Sequence, residues 1–308
     1  MKRDYLSILD LSIDETKEVI KLGYEFKRAF KKGLYFENLL RNKTIALIFE
    51  KPSLRTIATF QIAINQLGGY ALYLEHQSVR MGEREPVKDV ARNLDRWTNG
   101  IVSRVYFHST LIEMAKWTRI PIINALSDLE HPCQALADFL TIFEITNFSS
   151  DFTIGFIGDG NNVCHSLMLI SSYFGNKFIW AGPEGYEPNK EIVNKSIEIS
   201  KKTSAKIEIT NDINYAIRNS NFIYTDVWAS MGQEHEAEER KKIFKNYQLN
   251  SEILKFAPKD YKIMHCLPAH RGEEITDEVI ESENSIVFEQ AENRLHAQKG
   301  LLAFLYSK

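Results

Sequence analysis

Short apolar runs alternate with stretches of helical spacing along the whole chain. The runs at 44–49, 70–74, 101–105 and 121–126 are rich in strand-forming residues and separated by helical patterns. That arrangement predicts buried strands of a parallel sheet. The first helix is expected to open on the capping box Ser12-Ile13-Asp14-Glu15 and to stop at Gly33, with Val19, Leu22, Phe26 and Phe30 at helical spacing. A long helix over 131–146 and a polar stretch at 147–151 precede a second set of runs. These lie at 152–157, 177–181, 206–210, 221–225, 262–266 and 285–288, and a last helical pattern spans 290–305. The reading is α/β, with two doubly wound parallel-sheet domains of similar size joined near 147–151. No internal repeat or low-complexity tract interrupts it.

Composition narrows the class. A chain of 308 residues, 44% hydrophobic and 26% charged, suits an ordinary globular protein of two domains. A net charge of −3 with no long Lys/Arg run argues against a nucleic-acid partner. No apolar run approaches the ~18 residues of a membrane span. The opening Met-Lys-Arg-Asp-Tyr leads into a helix signal, not a signal-peptide core. Cys133, Cys164 and Cys266 are too few and too scattered for a disulfide framework or a zinc site. A cytoplasmic protein without metal is the expectation.

Several short motifs carry candidate chemistry. Ser53-Leu54-Arg55-Thr56 follows the run at 44–49 and opens a helix that ends before Gly68-Gly69, with Pro52 placed to start it. The first-turn N–H groups and the positive end of the helix dipole form a ready anion site, to which Ser53, Thr56 and the Arg55 fork add donors. A capped helix with a surface arginine accounts for the same residues. His131-Pro132-Cys133-Gln134 also follows a strand and opens a helix. His131 and Gln134, three apart, share a face and could reach one small ligand, or could be satisfied helix-start residues. Arg104 ends an apolar run, where a buried guanidinium calls for an anion. Open α/β sheets place ligands at strand C-terminal ends.

The second half offers different groups. Gly158-Asp159-Gly160-Asn161-Asn162 superficially resembles a dinucleotide fingerprint. It lacks the third glycine, and no acidic residue closes the run at 177–181 to hold a ribose. Asn162 suits a zwitterionic ligand better. Asp226-Val227-Trp228-Ala229-Ser230-Met231-Gly232 sets a carboxylate at a strand end, then a hydroxyl and a flexible backbone. It can hold an amino acid's charged groups or be ordinary loop. Cys266 ends the run at 262–266 before Leu267-Pro268, as a small core residue or as a catalyst.

Taken together these residues resemble the ornithine carbamoyltransferases, within the aspartate/ornithine transcarbamylase superfamily, along nearly the whole chain. The matching segments are 49–56, 126–134, 158–166, 226–232, 265–268 and 289–294. The Asp-x-x-x-Ser-Met-Gly and His-Cys-Leu-Pro motifs belong to the ornithine branch. The resemblance implies a carbamoyl-phosphate-binding domain, 1–147 plus 289–308, and an ornithine-binding domain, 148–288, with the C-terminal helix crossing back to the first. It implies a homotrimer with active sites near subunit interfaces and no metal or organic cofactor. The implied reaction moves the carbamoyl group of carbamoyl phosphate to the side-chain amine of L-ornithine, giving L-citrulline and phosphate, as in arginine biosynthesis.

By motif position the resemblance assigns the phosphate to Ser53, Leu54, Arg55, Thr56 and Arg104. His131, Gln134 and Arg294 would meet the carbamoyl or bridging oxygens. Asn162, Asp226, Ser230 and Met231 would hold ornithine, and Cys266 and Leu267 would sit at the reacting groups. Two positions depart from the pattern. Leu54 stands where the family usually has Thr, losing one hydroxyl donor worth roughly 0.5–1.5 kcal/mol. A bulky apolar residue there also occurs in transcarbamylases of N-acylated ornithine. Arg80 stands where Gln or His is common, in a loop that reaches a neighbouring subunit's site, and is expected to add a phosphate contact in trans.

The amine sets the chemical problem. A δ-amino group resembles lysine, pKa ~10.4, so neutralising it near pH 7.5 costs about 4 kcal/mol. Asp226 alone would favour the ammonium form. The expectation is that Asp226 orients the amine while Cys266, a thiol with an ordinary pKa of about 8.5, takes part in removing its proton. Alternative readings are a transcarbamylase for N-acylated ornithine, putrescine or lysine, a ligand-binding paralogue without catalysis, and a nicotinamide-dependent dehydrogenase.

Overall fold

The apolar runs of the first half pair in parallel, as their lack of alternation implies. A computed structural model of the chain describes residues 2–34, 36–230 and 232–307. Strands β1 (Thr44–Phe49), β2 (Tyr70–Glu75), β3 (Gly100–Arg104) and β4 (Ile122–Leu126) form one sheet in the order β2-β1-β3-β4. β1 pairs in parallel with β2 and β3, and β3 with β4. β1 is buried from Ile45 onward, whereas β2, at the sheet edge, stays half-exposed. The other edge is covered: Tyr5 bridges Ile123 and exchanges backbone hydrogen bonds with Ile122 and Asn124.

Strands β5 (Thr153–Ile157), β6 (Lys177–Ala181), β7 (Lys206–Thr210), β8 (Phe222–Thr225) and β9 (Lys262–Met264) form a second parallel sheet, ordered β7-β6-β5-β8-β9. Both sheets are doubly wound. Their strand orders reverse between β1 and β3 and between β5 and β8, where such folds bind ligands. Two expectations need correction. The run at 285–288 is no strand: Ser285 makes a single bridge to Ile263, and the helix Val287–Tyr306 takes the rest. The run at 262–266 ends as a strand at Met264, so Cys266 lies two residues beyond, in the following loop.

The chain divides into two compact units, Met1–Leu140 with Glu292–Lys308, and Thr141–Ala291. The divisions fall inside the helices Pro132–Ile145 and Val287–Tyr306 rather than in the polar stretch at 147–151. The end of the chain thus belongs with its beginning. In that first unit the final helix crosses the helix Ile13–Phe30 closely. A Cβ on Gly300 would lie 2.3 Å from the Val19 carbonyl oxygen and 2.7 Å from the Gly23 nitrogen. Ser12 caps the earlier helix through the expected box with Glu15. Among the described residues no helix is long and apolar enough to cross a membrane.

Candidate active site

The first unit gathers its predicted residues at the β1/β3 switch point. Ser53 takes the N-cap position of the helix Leu54–Gln66, yet its side chain caps no backbone N–H. Its hydroxyl meets Thr56 Oγ1 at 3.1 Å instead. The helix therefore presents its first turn uncapped, the arrangement an anion favours. Arg104 is set by stitching of the two strand ends: the Glu50 N–H donates to the Arg104 carbonyl at 2.8 Å, and the Tyr106 N–H to Glu50 Oε2 at 2.6 Å.

His131 enters from the end of β4. Its turn is pinned by Glu130, 1% exposed, which accepts from the Ile8 N–H at 3.2 Å and the Ser7 hydroxyl. The Asn124 side-chain amide donates to the Leu6 carbonyl at 2.8 Å, and its backbone carbonyl accepts from the Cys133 thiol at 3.3 Å. Burial first, then Arg294, Arg104 and Arg55, push the His131 imidazole well below the ordinary histidine range. Three guanidiniums thus act on one imidazole, which stays neutral and can offer an N–H. Arg294 donates to Gln134 Oε1 at 2.6 Å and to Thr56 Oγ1 at 3.1 Å, joining the last helix to both motifs. Gln134 in turn donates to Asp138 Oδ1 at 2.7 Å. Asp138, fully buried, fixes which end of the Gln134 amide faces Arg294. Sequence reasoning missed Asp138, although its four-residue spacing from Gln134 was a signal.

Leu54 is 79% exposed at the start of the helix. Arg80, 58% exposed by its side chain, pairs with Glu83 at 3.3 Å in its own loop and does not join the cluster. The chemical capacity of this unit is to hold a dianion among cations and backbone donors and to polarise an oxygen beside it.

The second unit gathers a different set at the β5/β8 switch point. Asn161 ties this set together. It caps the helix Asn162–Phe174, accepting from the Val163 and Cys164 N–H groups at 3.0 and 3.1 Å. Its amide donates to Asp226 Oδ2 at 2.8 Å and Ser230 Oγ at 3.3 Å. Asn162 follows as the first helical residue, also buried. An Asn before an apolar helix was the available signal for a cap, but not for its bonds to Asp226. Met231 lies outside the described residues.

Gly160 explains the broken fingerprint: a Cβ there would come within 2.2 Å of the Pro188 nitrogen, so this glycine serves backbone packing. Asp159 pairs with Arg240 at 3.1 Å, and burial still pushes its carboxyl up to about 6.

Cys266 directs its thiol at Asp226 Oδ1, 3.1 Å away. The other two thiols are core residues. Burial pushes Cys133 up to about 12 and Cys164 well above the usual range. Cys266 is held by its neighbours. The Leu267 N–H donates to His265 Nδ1 at 2.9 Å, and His265 Nε2 contacts Glu274 Oε1 at 3.0 Å, with both side chains fully buried. With Nδ1 accepting, the His265 proton sits on Nε2. Leu267 takes φ 57°, a left-handed conformation that costs a non-glycine residue of order 1–3 kcal/mol and marks functional turns. Asp226, His265 and Cys266 offer ligand atoms within 4.8 Å of one another, a spacing a metal could use. Both His265 nitrogens are already committed, so that set does not fit an ion without breaking the turn. This unit can grip charged groups of an amino acid and set a thiol and a carboxylate together.

Comparison with known proteins follows the same division. Residues 3–144 match the model of the aspartate/ornithine carbamoyltransferase carbamoyl-P binding domain, and 150–305 that of the Asp/Orn binding domain. An ornithine carbamoyltransferase of Archaeoglobus fulgidus is 49% identical over 98% of this chain and 97% of its own. An anabolic ornithine carbamoyltransferase of Pyrococcus furiosus is 46% identical over 98% of this chain and 96% of its own. The solved ornithine carbamoyltransferase structure from P. furiosus superposes with a TM-score of 0.95 over 99% of this chain and 97% of that one. With both family domains matched in order and full-length relatives near half identical, the chain belongs to the aspartate/ornithine carbamoyltransferase family.

Proposed function

We propose that this chain transfers the carbamoyl group of carbamoyl phosphate to the δ-amine of L-ornithine, giving L-citrulline and phosphate. The observation that carries this is the presence of two chemically distinct residue sets, each at the switch point of its own sheet. One is a cluster of Arg55, Arg104 and Arg294 around a neutral His131. The other is Asp226 with Asn161, Ser230 and Cys266. The first suits a phosphate dianion and the second an amino acid.

In the reaction the amine nitrogen bonds the carbamoyl carbon, the carbon–oxygen bond to phosphate breaks, and the amine loses a proton. Arg55, Arg104 and the uncapped first turn of the helix Leu54–Gln66 stabilise the charge that builds on the leaving phosphate. His131 and Arg294 polarise the carbonyl. Asn162, Asp226, Ser230 and the backbone at Met231 hold ornithine, with Asn161 beside them bonded to Asp226 and Ser230. Cys266, once its own proton has passed to solvent, accepts the amine's proton as a thiolate, and the Leu267 carbonyl orients the amine. Holding both substrates together supplies proximity, potentially the largest single contribution.

We further propose a homotrimer acting in the cytoplasm. Leu54 and Phe107, 79% and 65% exposed, follow the C-terminal ends of β1 and β3 close to the cation cluster in sequence, and such apolar surface calls for cover. Arg80 would reach a neighbour's phosphate. Relatives at 46–49% identity carry the ornithine name, which sets the acylated amine aside. Product analysis with carbamoyl phosphate and ornithine, N-acetylornithine, putrescine or lysine tests the assignment. Citrulline and phosphate in equal amounts from ornithine are expected, and a faster reaction with another amine would replace it.

A further inference from the structure

One buried guanidinium lies outside the reaction just described. Arg240, on the helix Ala237–Phe244, is 6% exposed and has its hydrogen bonds spread over three segments. Nη1 donates to the Trp228 carbonyl at 2.9 Å and meets Asp159 Oδ2 at 3.1 Å. Nε donates to Glu236 Oε2 at 2.8 Å. The guanidinium also lies over the Tyr186 ring, 5.0 Å from its centroid. Phe244 packs against both Tyr186 and Trp228, with centroids at 4.8 and 5.9 Å.

The identity of these partners gives the arrangement its meaning. Trp228 lies between Asp226 and Ser230 in sequence. Asp159 lies two residues before Asn161, the side chain that donates to both of them. A single planar fork therefore ties the loop after β5 to the loop after β8. Glu236 is 41% exposed by its side chain and contributes little by itself. Asp159 and the Trp228 carbonyl are buried, and a charge removed from that pair would leave its partner uncompensated. Lysine, a point charge on a flexible stem, cannot span the three acceptors together.

We propose that Arg240 is a positioning residue for the amino-acid substrate, a latch that holds residues 226–230 in their binding conformation through Asp159 and the Trp228 carbonyl. The proposal rests on the assignment of ornithine to that loop. It acts on amino-acid affinity and leaves the carbamoyl-phosphate residues untouched.

The test is steady-state kinetics of the full chain, with hydrogen exchange of residues 226–236 as a readout independent of substrate. Arg240→Met should raise KM for ornithine ~10- to 100-fold while KM for carbamoyl phosphate stays within about twofold, and should speed exchange over 226–236. These figures correspond to the ~1.4–2.8 kcal/mol of a lost buried charge-assisted contact. Arg240→Lys should recover part of the loss. Asp159→Asn, which keeps the shape and removes the countercharge, should move the same KM in the same direction and serves if Arg240→Met does not fold. Equal changes in both KM values, or an unchanged ornithine KM, would overturn the latch. If the native protein makes no citrulline, the assignment of substrate fails instead. The latch is then judged by exchange alone, unchanged protection over 226–236 overturning it.

Discussion

At the residue scale, two side chains carry the most specific consequences. Leu54 offers its backbone N–H at the first turn of an uncapped helix but no hydroxyl, and its side chain is 79% exposed. Leu54→Thr restores a donor worth roughly 0.5–1.5 kcal/mol, so KM for carbamoyl phosphate should fall by up to about tenfold with kcat little changed. An unchanged or higher KM would show that the position does not face the phosphate. Cys266 stands 3.1 Å from Asp226 Oδ1 and is held by the His265–Leu267 turn. Cys266→Ser keeps the size and raises the proton affinity of the group, so kcat should fall at least ~10-fold and the alkaline limb of the pH–rate profile should move. If both stay as in the native protein, the thiol only fills space.

At the element scale, the close crossing of the first and last helices in the first unit leaves no room for a side chain. Gly300→Ala places a Cβ 2.3 Å from the Val19 carbonyl oxygen, which requires the helices to move apart. Destabilisation of about 1–3 kcal/mol is expected, read as a lowered Tm or denaturant midpoint. A neutral result would mean that the helices cross less closely. The same scale shows what sequence pattern conveys. The runs at 44–49, 177–181 and 206–210 are strands with the expected ends. The run at 285–288 misled because Ile286 and Val287 are buried apolar residues that open a helix, and a short apolar run carries no period to tell the two apart. Local motifs placed Arg55, His131 and Asp226 at strand or helix ends, whereas Cys266 lies in the loop two residues past its strand. Asp138 escaped notice because its partner chemistry appears only once Gln134 is seen to face Arg294. Asn161 and Arg240 were hidden for another reason: their key partners, Asp226 and Asp159, are 65 and 81 positions away.

At the scale of the whole molecule, the family match covers both units in order and fits a carbamoyl-phosphate part followed by an amino-acid part. The trimer and the role of Arg80 remain our proposal, and mixing subunits addresses them. Arg80→Ala should raise KM for carbamoyl phosphate, because the exposed guanidinium, paired with Glu83 in its own loop, stays accessible to an anion. If Arg80 acts in trans, mixed trimers of Arg80→Ala and Arg55→Ala chains should regain activity, since some sites then receive an intact Arg55 and a neighbour's intact Arg80. No recovery on mixing would place Arg80 in its own subunit's site or in none.

The central claim is that the cation cluster of one unit and the carboxylate–thiol pair of the other serve a single transfer. The most direct measurement is calorimetric binding of one molecule bearing both substrates' charged groups, a phosphonate joined through an acetyl linker to the δ-nitrogen of ornithine. It should bind at least ~1,000-fold more tightly than carbamoyl phosphate alone, and Arg55→Ala and Asp226→Asn should each weaken it. Affinity no better than that of carbamoyl phosphate, or indifference to either substitution, would contradict the account.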